Sequence, residues 1–206
     1  MIAVDPRLHD TTLVAIGGSA GGVEALLRLV ALLPAASAAS VVIAMHLVPN
    51  RPSLLPQLLA ERCALPVREA EDKEPLAAGT VYLAPPNYHL MVDARPPQLC
   101  LSVDAPVHFS RPSIDVLFES CAEAFGPRVL GVLLSGANHD GSAGLAAIAR
   151  HGGIAAVQAP AEAQVPIMPA TALAGGFVQY ALPVAEFGPV FAALPARQAT
   201  NAKGTV

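Results

Sequence analysis

The amino-acid sequence predicts a single α/β domain, built on a mostly parallel, doubly wound sheet with helices on both faces and an antiparallel hairpin excursion. Short, continuous apolar runs alternate with stretches long enough for helices, and this pattern is typical of parallel strands buried on both faces. Of the 206 residues, 53% are hydrophobic and only 14% are charged, against a usual charged share of about 25%. We expect the domain to span residues 11–195, with residues 1–10 and 196–206 as flexible tails.

Strand and helix predictions follow from the apolar runs and their flanking turn residues. The predicted alternation comprises the strands Leu13–Ile16, Val41–Met45, Pro66–Arg68, Val129–Leu134, Ile154–Val157 and Phe177–Tyr180, and the helices Val23–Leu33, Ser53–Glu61, Ser113–Ala124, Ser142–Arg150, Pro169–Ala174 and Val184–Leu194. Three short runs in the middle, Thr80–Ala84, His89–Val92 and Leu99–Val103, are separated by proline-rich turns. That spacing predicts the antiparallel excursion.

Composition also excludes several classes of function. A net charge of −4 argues against nucleic acid as a partner, because phosphate binding relies on clustered Lys and Arg. Three widely spaced cysteines are typical of reduced thiols in the cytoplasm. The N-terminus lacks a signal segment and the apolar stretch 26–45 is interrupted by Arg28 and Pro34, so we expect a cytoplasmic protein without direct membrane insertion. No His, Cys, Asp or Glu grouping has metal-ligand spacing, which predicts neither a metal nor a cofactor.

The glycine-rich stretch Gly17-Gly18-Ser19-Ala20-Gly21 follows the first predicted strand and precedes the first helix. It fits the Gly-x-Ser-x-Gly spacing of a nucleophile on a sharp strand-to-helix turn. A serine there lies at the first turn of a helix, where free backbone N–H groups favour a developing anion. A glycine-rich turn can also cradle phosphates, but the Gly-x-Gly-x-x-Gly spacing and the acidic residue roughly 20 positions later are missing. On this stretch alone, Ser19 is a nucleophile, a turn residue or a helix cap.

Three polar residues follow three strands of the predicted sheet. Ser19 comes after the first strand, His46 ends the second, and Asp140 lies in the loop after Val129–Leu134. Because ligands bind beyond the carboxyl ends of parallel strands, a hydroxyl, an imidazole and a carboxylate are predicted at one edge. Imidazole, with an ordinary pKa of about 6.5, can take the serine proton while the carboxylate orients the ring. His139 competes with His46 for this role, although its side chain is expected to point away from the neighbouring Asp140.

The chain resembles the catalytic domain of the chemotaxis protein-glutamate methylesterase (CheB) family from about Leu13 to Leu194. The motifs that carry the resemblance occur in the family's order. They are Ile16-Gly17-Gly18-Ser19-Ala20-Gly21-Gly22, His46, Gly79-Thr80-Val81-Tyr82-Leu83-Ala84-Pro85, His89-Leu90, Arg111-Pro112-Ser113-Ile114-Asp115-Val116-Leu117-Phe118, Asp140-Gly141 and Met168-Pro169.

The resemblance implies a hydrolase of signal transduction, namely a serine esterase with the catalytic triad Ser19, His46 and Asp140. Its substrates would be γ-methyl esters of glutamate on the cytoplasmic helices of methylated chemoreceptors, and some members of the family also deamidate glutamines. The partner it implies is therefore a chemoreceptor, and the compartment is the cytoplasm.

Further residues acquire expected roles from the same mechanism. Backbone amides around Ala20, Gly21 and Ala137 are expected to hold the oxyanion, and Met168 is expected to shape the cleft wall. Residues 111–115 are expected to form the start of a helix capped by Ser113, and Arg111 is also a candidate for contacting an acidic receptor helix.

Two departures from the family pattern leave alternatives open. The usual Gly-Met-Gly-x-Asp-Gly is Gly136-Ala137-Asn138-His139-Asp140-Gly141 here, and Asn138 in place of a glycine could shift the oxyanion turn. Typical members also carry an N-terminal receiver domain, for which a first strand near residue 12 leaves no room, so a separate regulatory protein is expected to replace it. The alternatives are a catalytically weakened, non-enzymatic receptor-binding module and an esterase outside chemotaxis.

Overall fold

A seven-stranded parallel sheet forms the centre of the protein. The structure is a computed structural model that describes residues 3–47 and 53–197. Within these residues the sheet has the order β3-β4-β2-β1-β7-β8-β9, and an antiparallel hairpin, β5-β6, stands apart from it. The strands are β1 Leu13–Gly18, β2 Ser40–Met45, β3 Val67–Glu69, β4 Val81–Leu83, β5 His89–Ala94, β6 Pro97–Ser102, β7 Val129–Leu133, β8 Ile154–Gln158 and β9 Tyr180–Leu182. This architecture confirms the predicted fold class.

Helices cover both faces of the sheet because its central strands β1, β2, β7 and β8 are buried along their whole length. In β1, Val14 and Ile16 pack into one core cluster, whereas Leu13 and Ala15 pack into the other. Helices α1, α2 and α6 contribute to the first cluster, and α3, α4, α5 and the hairpin to the second. Their bounds are α1 Gly22–Val30, α2 Leu55–Ala60, α3 Ile114–Phe125, α4 Ser142–Arg150, α5 Ile167–Ala174 and α6 Gly188–Ala192. No helix in the described ranges is both long and apolar enough to cross a bilayer.

The sheet order places a switch point at the carboxyl end of β1. From β1 the chain moves to β2 on one side, and it later returns to β7 on the other side. Loops at such a point diverge and leave a crevice, which is where open α/β sheets bind ligands. The loops after β1, β2 and β7 are those that carry Ser19, His46 and Asp140.

One strand of the predicted antiparallel excursion belongs elsewhere. The segment Thr80–Ala84 contains β4, which pairs in parallel with β2 and β3 in the main sheet. All three residues of β4 are buried. Because successive side chains of a strand point to opposite faces, this burial means that β4 is covered on both faces. The antiparallel pairing is confined to β5 and β6.

The structure near both chain ends differs from the predicted flexible N-terminal tail and the predicted C-terminal helix. Residues 6–10 form a 3-10 helix that buries Leu8 completely, and the Tyr180 hydroxyl accepts a hydrogen bond from the Asp5 amide at 2.6 Å. The predicted helix Val184–Leu194 is a 3-10 turn followed by the short α6, because Pro189 lacks the N–H that a continuous helix needs. Residues 1–2 and 198–206 of the predicted tails lie outside the described residues.

Close contact between α3 and α4 depends on Gly144. A Cβ at this position would lie 2.6 Å from Phe118 Cβ and 2.9 Å from the Asp115 carbonyl oxygen. We expect Gly144→Ala to lower the free energy of unfolding by about 1–3 kcal/mol through overpacking, despite the better helix propensity of alanine. Urea unfolding measures this change.

Gly188→Ala is the matched control, because a Cβ there meets nothing within 4 Å. It is expected to leave stability unchanged or slightly raised. A Gly144→Ala protein as stable as the wild type would contradict the close helix contact.

Candidate active site

The carboxylate of Asp140 is held at the N-terminus of α3 by four donors. Its Oδ1 accepts from Ser113 Oγ and the Asp115 amide, both at 2.9 Å, and its Oδ2 accepts from the Ile114 amide at 2.8 Å. The fourth donor is His46 Nε2, 2.8 Å from Oδ2. The side chain is completely buried. Burial acts to raise its pKa, but the hydrogen bonds from His46, the two amides and Ser113 outweigh burial and lower the pKa below the ordinary value of 3.8.

The ring of His46 is oriented by this buried carboxylate. Because the Asp140 carboxylate accepts hydrogen bonds, we assign the ring proton to Nε2, which leaves the lone pair of the neutral ring on Nδ1. The His46 amide donates to the Gly18 carbonyl at 3.1 Å, which fixes the residue beside the end of β1. The side chain is 12% exposed, so the ring lies at a partly open surface.

Ser19 lies at the same edge, but its hydroxyl is not engaged with the pair. Its amide donates to the Ser135 carbonyl at 2.9 Å, and its carbonyl accepts from the Gly22 amide at 2.8 Å. These bonds hold the turn between β1 and α1. Within residues 3–47 and 53–197, the Ser19 hydroxyl makes no hydrogen bond to His46 or Asp140. The structure therefore joins His46 to Asp140 and places Ser19 nearby.

A different serine contacts the base nitrogen of His46. Ser110 Oγ lies 3.3 Å from Nδ1, and sequence reasoning missed it. Ser110 belongs to a two-residue hairpin in which Val107 and Ser110 exchange amide hydrogen bonds of 3.1 and 2.9 Å. The only local signal was a polar residue directly before the Arg111–Phe118 motif, and a hairpin's approach to a histidine 64 residues away is a tertiary property.

Several backbone amides at this edge are available to an oxyanion. Among the described residues, the amides of Ala20, Gly21 and Ala137 have no acceptor, and Ala20 and Ala137 are exposed. Gly21 has a φ of +73°, and a Cβ there would lie 2.7 Å from the Gln164 side chain. Glycine is therefore required at this turn.

The altered turn before Asp140 keeps an ordinary backbone. Asn138 does not adopt the left-handed conformation, and its Oδ1 accepts from the Asp140 amide at 3.2 Å. A glycine is therefore not required at position 138. Met168 is fully buried, its amide donates to the Gly136 carbonyl at 3.0 Å, and its thioether fills the space where a Cβ of Gly136 would lie. Met168 supports the turn from behind.

Arg111 is engaged in structural contacts. Its Nε and Nη2 donate to Asn87 Oδ1 at 3.1 and 2.8 Å, and its Nη1 donates to the carbonyls of Val103 and Asp104. The guanidinium thereby ties the loop after β4 to the segment after β6, and these bonds use most of its donors.

Two other histidines have defined positions. His139 Nδ1 faces Thr171 Oγ1 on α5 at 3.3 Å, so His46 and not His139 meets Asp140. His89 is buried, its Nδ1 accepts from the Ser113 amide at 3.1 Å, and its Nε2 lies 3.2 Å from the Ala105 carbonyl. His89 therefore supports the residue that caps α3.

One group of metal-capable side chains lies beside the site in the described part of the chain. Ligand atoms of His108, Asp115 and Asp140 come within 4.8 Å of one another. Both Asp140 oxygens already accept two hydrogen bonds each. One Asp115 oxygen accepts from the Gly144 amide and the other lies 3.3 Å from His108 Nε2. The carboxylates are thus engaged in holding the N-termini of α3 and α4.

The fold and the site together define a class, an open α/β domain with a histidine–aspartate pair at the switch point of its sheet. A family model described as CheB methylesterase matches residues 14–190, and the chain belongs to this family. A putative protein-glutamate methylesterase/protein-glutamine glutaminase of Leptospira interrogans is 38% identical over 178 residues, which are 86% of this chain and 92% of that protein.

A second relative and a solved structure belong to the same family. Protein-glutamate methylesterase/protein-glutamine glutaminase 2 of Caulobacter vibrioides is 37% identical over 182 residues, covering 87% of this chain but only 52% of that longer protein. The crystal structure of the Thermotoga maritima CheB methylesterase catalytic domain superposes with a TM-score of 0.84 at 28% identity, covering 88% of this chain and 97% of that one.

Proposed function

We propose that this chain is a serine-dependent carboxylesterase that removes γ-methyl esters from glutamates of chemoreceptors. The observation that carries the proposal is the hydrogen bond between His46 Nε2 and the buried Asp140 carboxylate at the switch point, beside Ser19 and the free amides of the first turn. The names of the relatives support the same reaction. Receptor helices that carry this modification would place the protein in the cytoplasm.

Acylation follows from the roles of the three side chains. Ser19 Oγ attacks the ester carbonyl while its proton moves to His46 Nδ1, since Nε2 is held by Asp140. The charge on the carbonyl oxygen is stabilised by the amides of Ala20, Gly21 and Ala137. His46 then returns the proton to the methoxy oxygen, methanol leaves, and the glutamyl group remains as an ester on Ser19.

Deacylation repeats the steps with water. His46 Nδ1 takes a proton from water, the hydroxide attacks the acyl-enzyme, and the Ser19 oxygen leaves with the proton from His46. The products are the free glutamate carboxyl and regenerated Ser19. An amide substrate follows the same route with ammonia as the leaving group, in keeping with the glutaminase activity in the names of the relatives.

Before acylation, Ser110 must yield its position at Nδ1. Its hydroxyl is the group within hydrogen-bond reach of that nitrogen in the structure. A modest movement of the Ser110 side chain would allow Ser19 to replace it. Catalytic hydrogen bonds are often long in a ligand-free enzyme and shorten when substrate binds.

Release of methanol from methylated chemoreceptor by the purified protein tests the proposal. We expect release that depends on Ser19, together with turnover of a simple activated ester. Folded protein that binds the receptor but releases no methanol would favour a non-enzymatic receptor-binding module, which the occupation of His46 Nδ1 by Ser110 motivates. Turnover of simple esters alone would favour an esterase outside chemotaxis.

A further inference from the structure

Phe109 is the most exposed large hydrophobic side chain in the described residues. Its relative exposure is 104%, so its ring touches almost nothing in the protein. Single exposed hydrophobic residues are common on surfaces and need no function. The backbone at Phe109 and its position distinguish it from an ordinary surface residue.

The backbone at Phe109 is of a kind that normally requires glycine. Val107 and Ser110 exchange both amide hydrogen bonds across a two-residue loop, and the two central residues, His108 and Phe109, have φ values of +48° and +61°. Two positive φ values define the type I′ turn, whose preferred sequence is Asn-Gly. A bulky residue in this conformation is rare and strained.

A side-chain contact offsets the backbone strain at His108 but not at Phe109. His108 Nε2 lies 3.3 Å from the buried Asp115 carboxylate, so its side chain anchors the turn to α3. Phe109 has no comparable contact, since its ring projects into solvent. Its presence costs backbone strain without adding packing, which is the pattern expected of a residue retained for recognition.

The turn brings this ring to the edge of the candidate site. Ser110, the next residue, contacts His46 Nδ1, and adjacent Cα atoms are about 3.8 Å apart. Asp115, which anchors His108, donates its amide to Asp140. Phe109 is therefore flanked on both sides by residues that contact the His46–Asp140 pair or its support.

Two described arginines that could attract an acidic helix are already engaged. The Arg111 guanidinium is bound to Asn87 and two carbonyls, and Arg28 is paired with Glu162 at 2.9 Å. An apolar contact at Phe109 is therefore a source of affinity next to the reacting ester, and aromatic side chains, Phe among them, are enriched at protein interfaces.

We infer that Phe109 is a specificity-determining residue that docks an apolar side chain of a helical protein substrate. The inference rests on the proposed methylesterase function. One or two turns of an α-helix advance by about 5.4 or 10.8 Å. The substrate is accordingly a helix with an apolar residue one or two turns from the esterified glutamate, the ester lying at His46 and the apolar residue on the Phe109 ring.

The test compares kcat/KM on methylated chemoreceptor with kcat/KM on methyl acetate, which has no group that extends one helical turn from the ester. For Phe109→Ala we expect the ratio of the two to fall about tenfold or more, mainly through KM for the receptor. Phe109→Trp should largely retain the wild-type ratio. Phe109→Gly should lower the ratio as much as Phe109→Ala does. It should also raise the urea midpoint of unfolding, because glycine adopts the positive φ without strain.

Val4→Ala is the matched control. Val4 is 39% exposed and precedes the 3-10 helix at the opposite, amino-terminal edge of the sheet, so the ratio should not change. An unchanged ratio in Phe109→Ala would overturn the inference, as would an equal loss on both substrates. Absence of methanol release by the wild-type protein would instead refute the proposed function.

Discussion

Replacing Ser19 by alanine is expected to lower the rate of ester hydrolysis by about 10⁴-fold or more, as removal of a nucleophile does in enzymes of this mechanism. The Ser19 hydroxyl makes no side-chain hydrogen bond within the described residues, and its backbone bonds to Ser135 and Gly22 do not involve the side chain. The substitution should therefore leave the urea midpoint unchanged. Methanol release from methylated receptor measures the rate.

Ser110→Ala is the decisive companion variant, because Ser110 is the serine beside the base nitrogen. If Ser19 is the nucleophile, Ser110→Ala should retain turnover, and phenylmethylsulfonyl fluoride should label the peptide that contains Ser19. Labelling on Ser110, or a loss of activity in Ser110→Ala as deep as in Ser19→Ala, would assign the nucleophile to the hairpin and contradict the mechanism.

Asp140→Asn is expected to damage both catalysis and stability. An amide can accept on one side only, so its NH₂ group must face two of the four donors that meet Asp140. If it faces His46, the ring proton shifts to Nδ1 and the base is lost, at a cost of about 10⁴ in kcat. If it faces the other pair, the Asp115 amide is left unsatisfied. We expect the free energy of unfolding to fall by about 2–4 kcal/mol.

The dependence of this loss on pH follows from the pKa of Asp140. The pKa lies below 3.8 in the folded protein, so the ionised carboxylate contributes stability that is complete above the ordinary pKa of 3.8. That contribution is lost as the pH falls through the lower, folded-state value. The difference in unfolding free energy between wild type and Asp140→Asn should therefore shrink as the pH falls below about 4.

Asp115→Asn supplies the control, since this carboxylate is also buried beside α3. Burial raises its pKa, and the nearby Asp140 charge adds to the rise despite the Gly144 amide and His108. A raised pKa means that ionised Asp115 destabilises the fold at neutral pH and that this penalty is relieved as the pH falls. We expect Asp115→Asn to cost little or to stabilise at pH 7. An equal loss in both variants would show that Asp140 has no special role.

Local chemistry explains why much of the fold could be predicted. The run Leu13–Ile16, followed by glycines and an amphipathic stretch, identifies β1, the turn and α1 from nearest neighbours alone. Ser113 was predicted to cap α3, and its Oγ does accept from the Val116 amide at 3.4 Å, a bond between residues three apart. The antiparallel pairing predicted for Thr80–Ala84 was wrong. A three-residue strand carries no periodicity that distinguishes a strand of the main sheet from a strand of a hairpin.

The candidate site, like the fold, could be predicted from the sequence only in part. That Ser19, His46 and Asp140 emerge at one edge is set by the sequence itself, since each follows an apolar strand and parallel strands share a carboxyl edge. Which groups then bond to one another was decided only by the tertiary structure. Asp140 meets an α3 helix that begins 26 residues earlier, Ser110 takes the base nitrogen, and Asn87 and two carbonyls take Arg111. The physical reason is that each of these polar groups has several chemically equivalent partners in the chain. The packing of helices and hairpin against the sheet determines which of them comes within 3 Å or so.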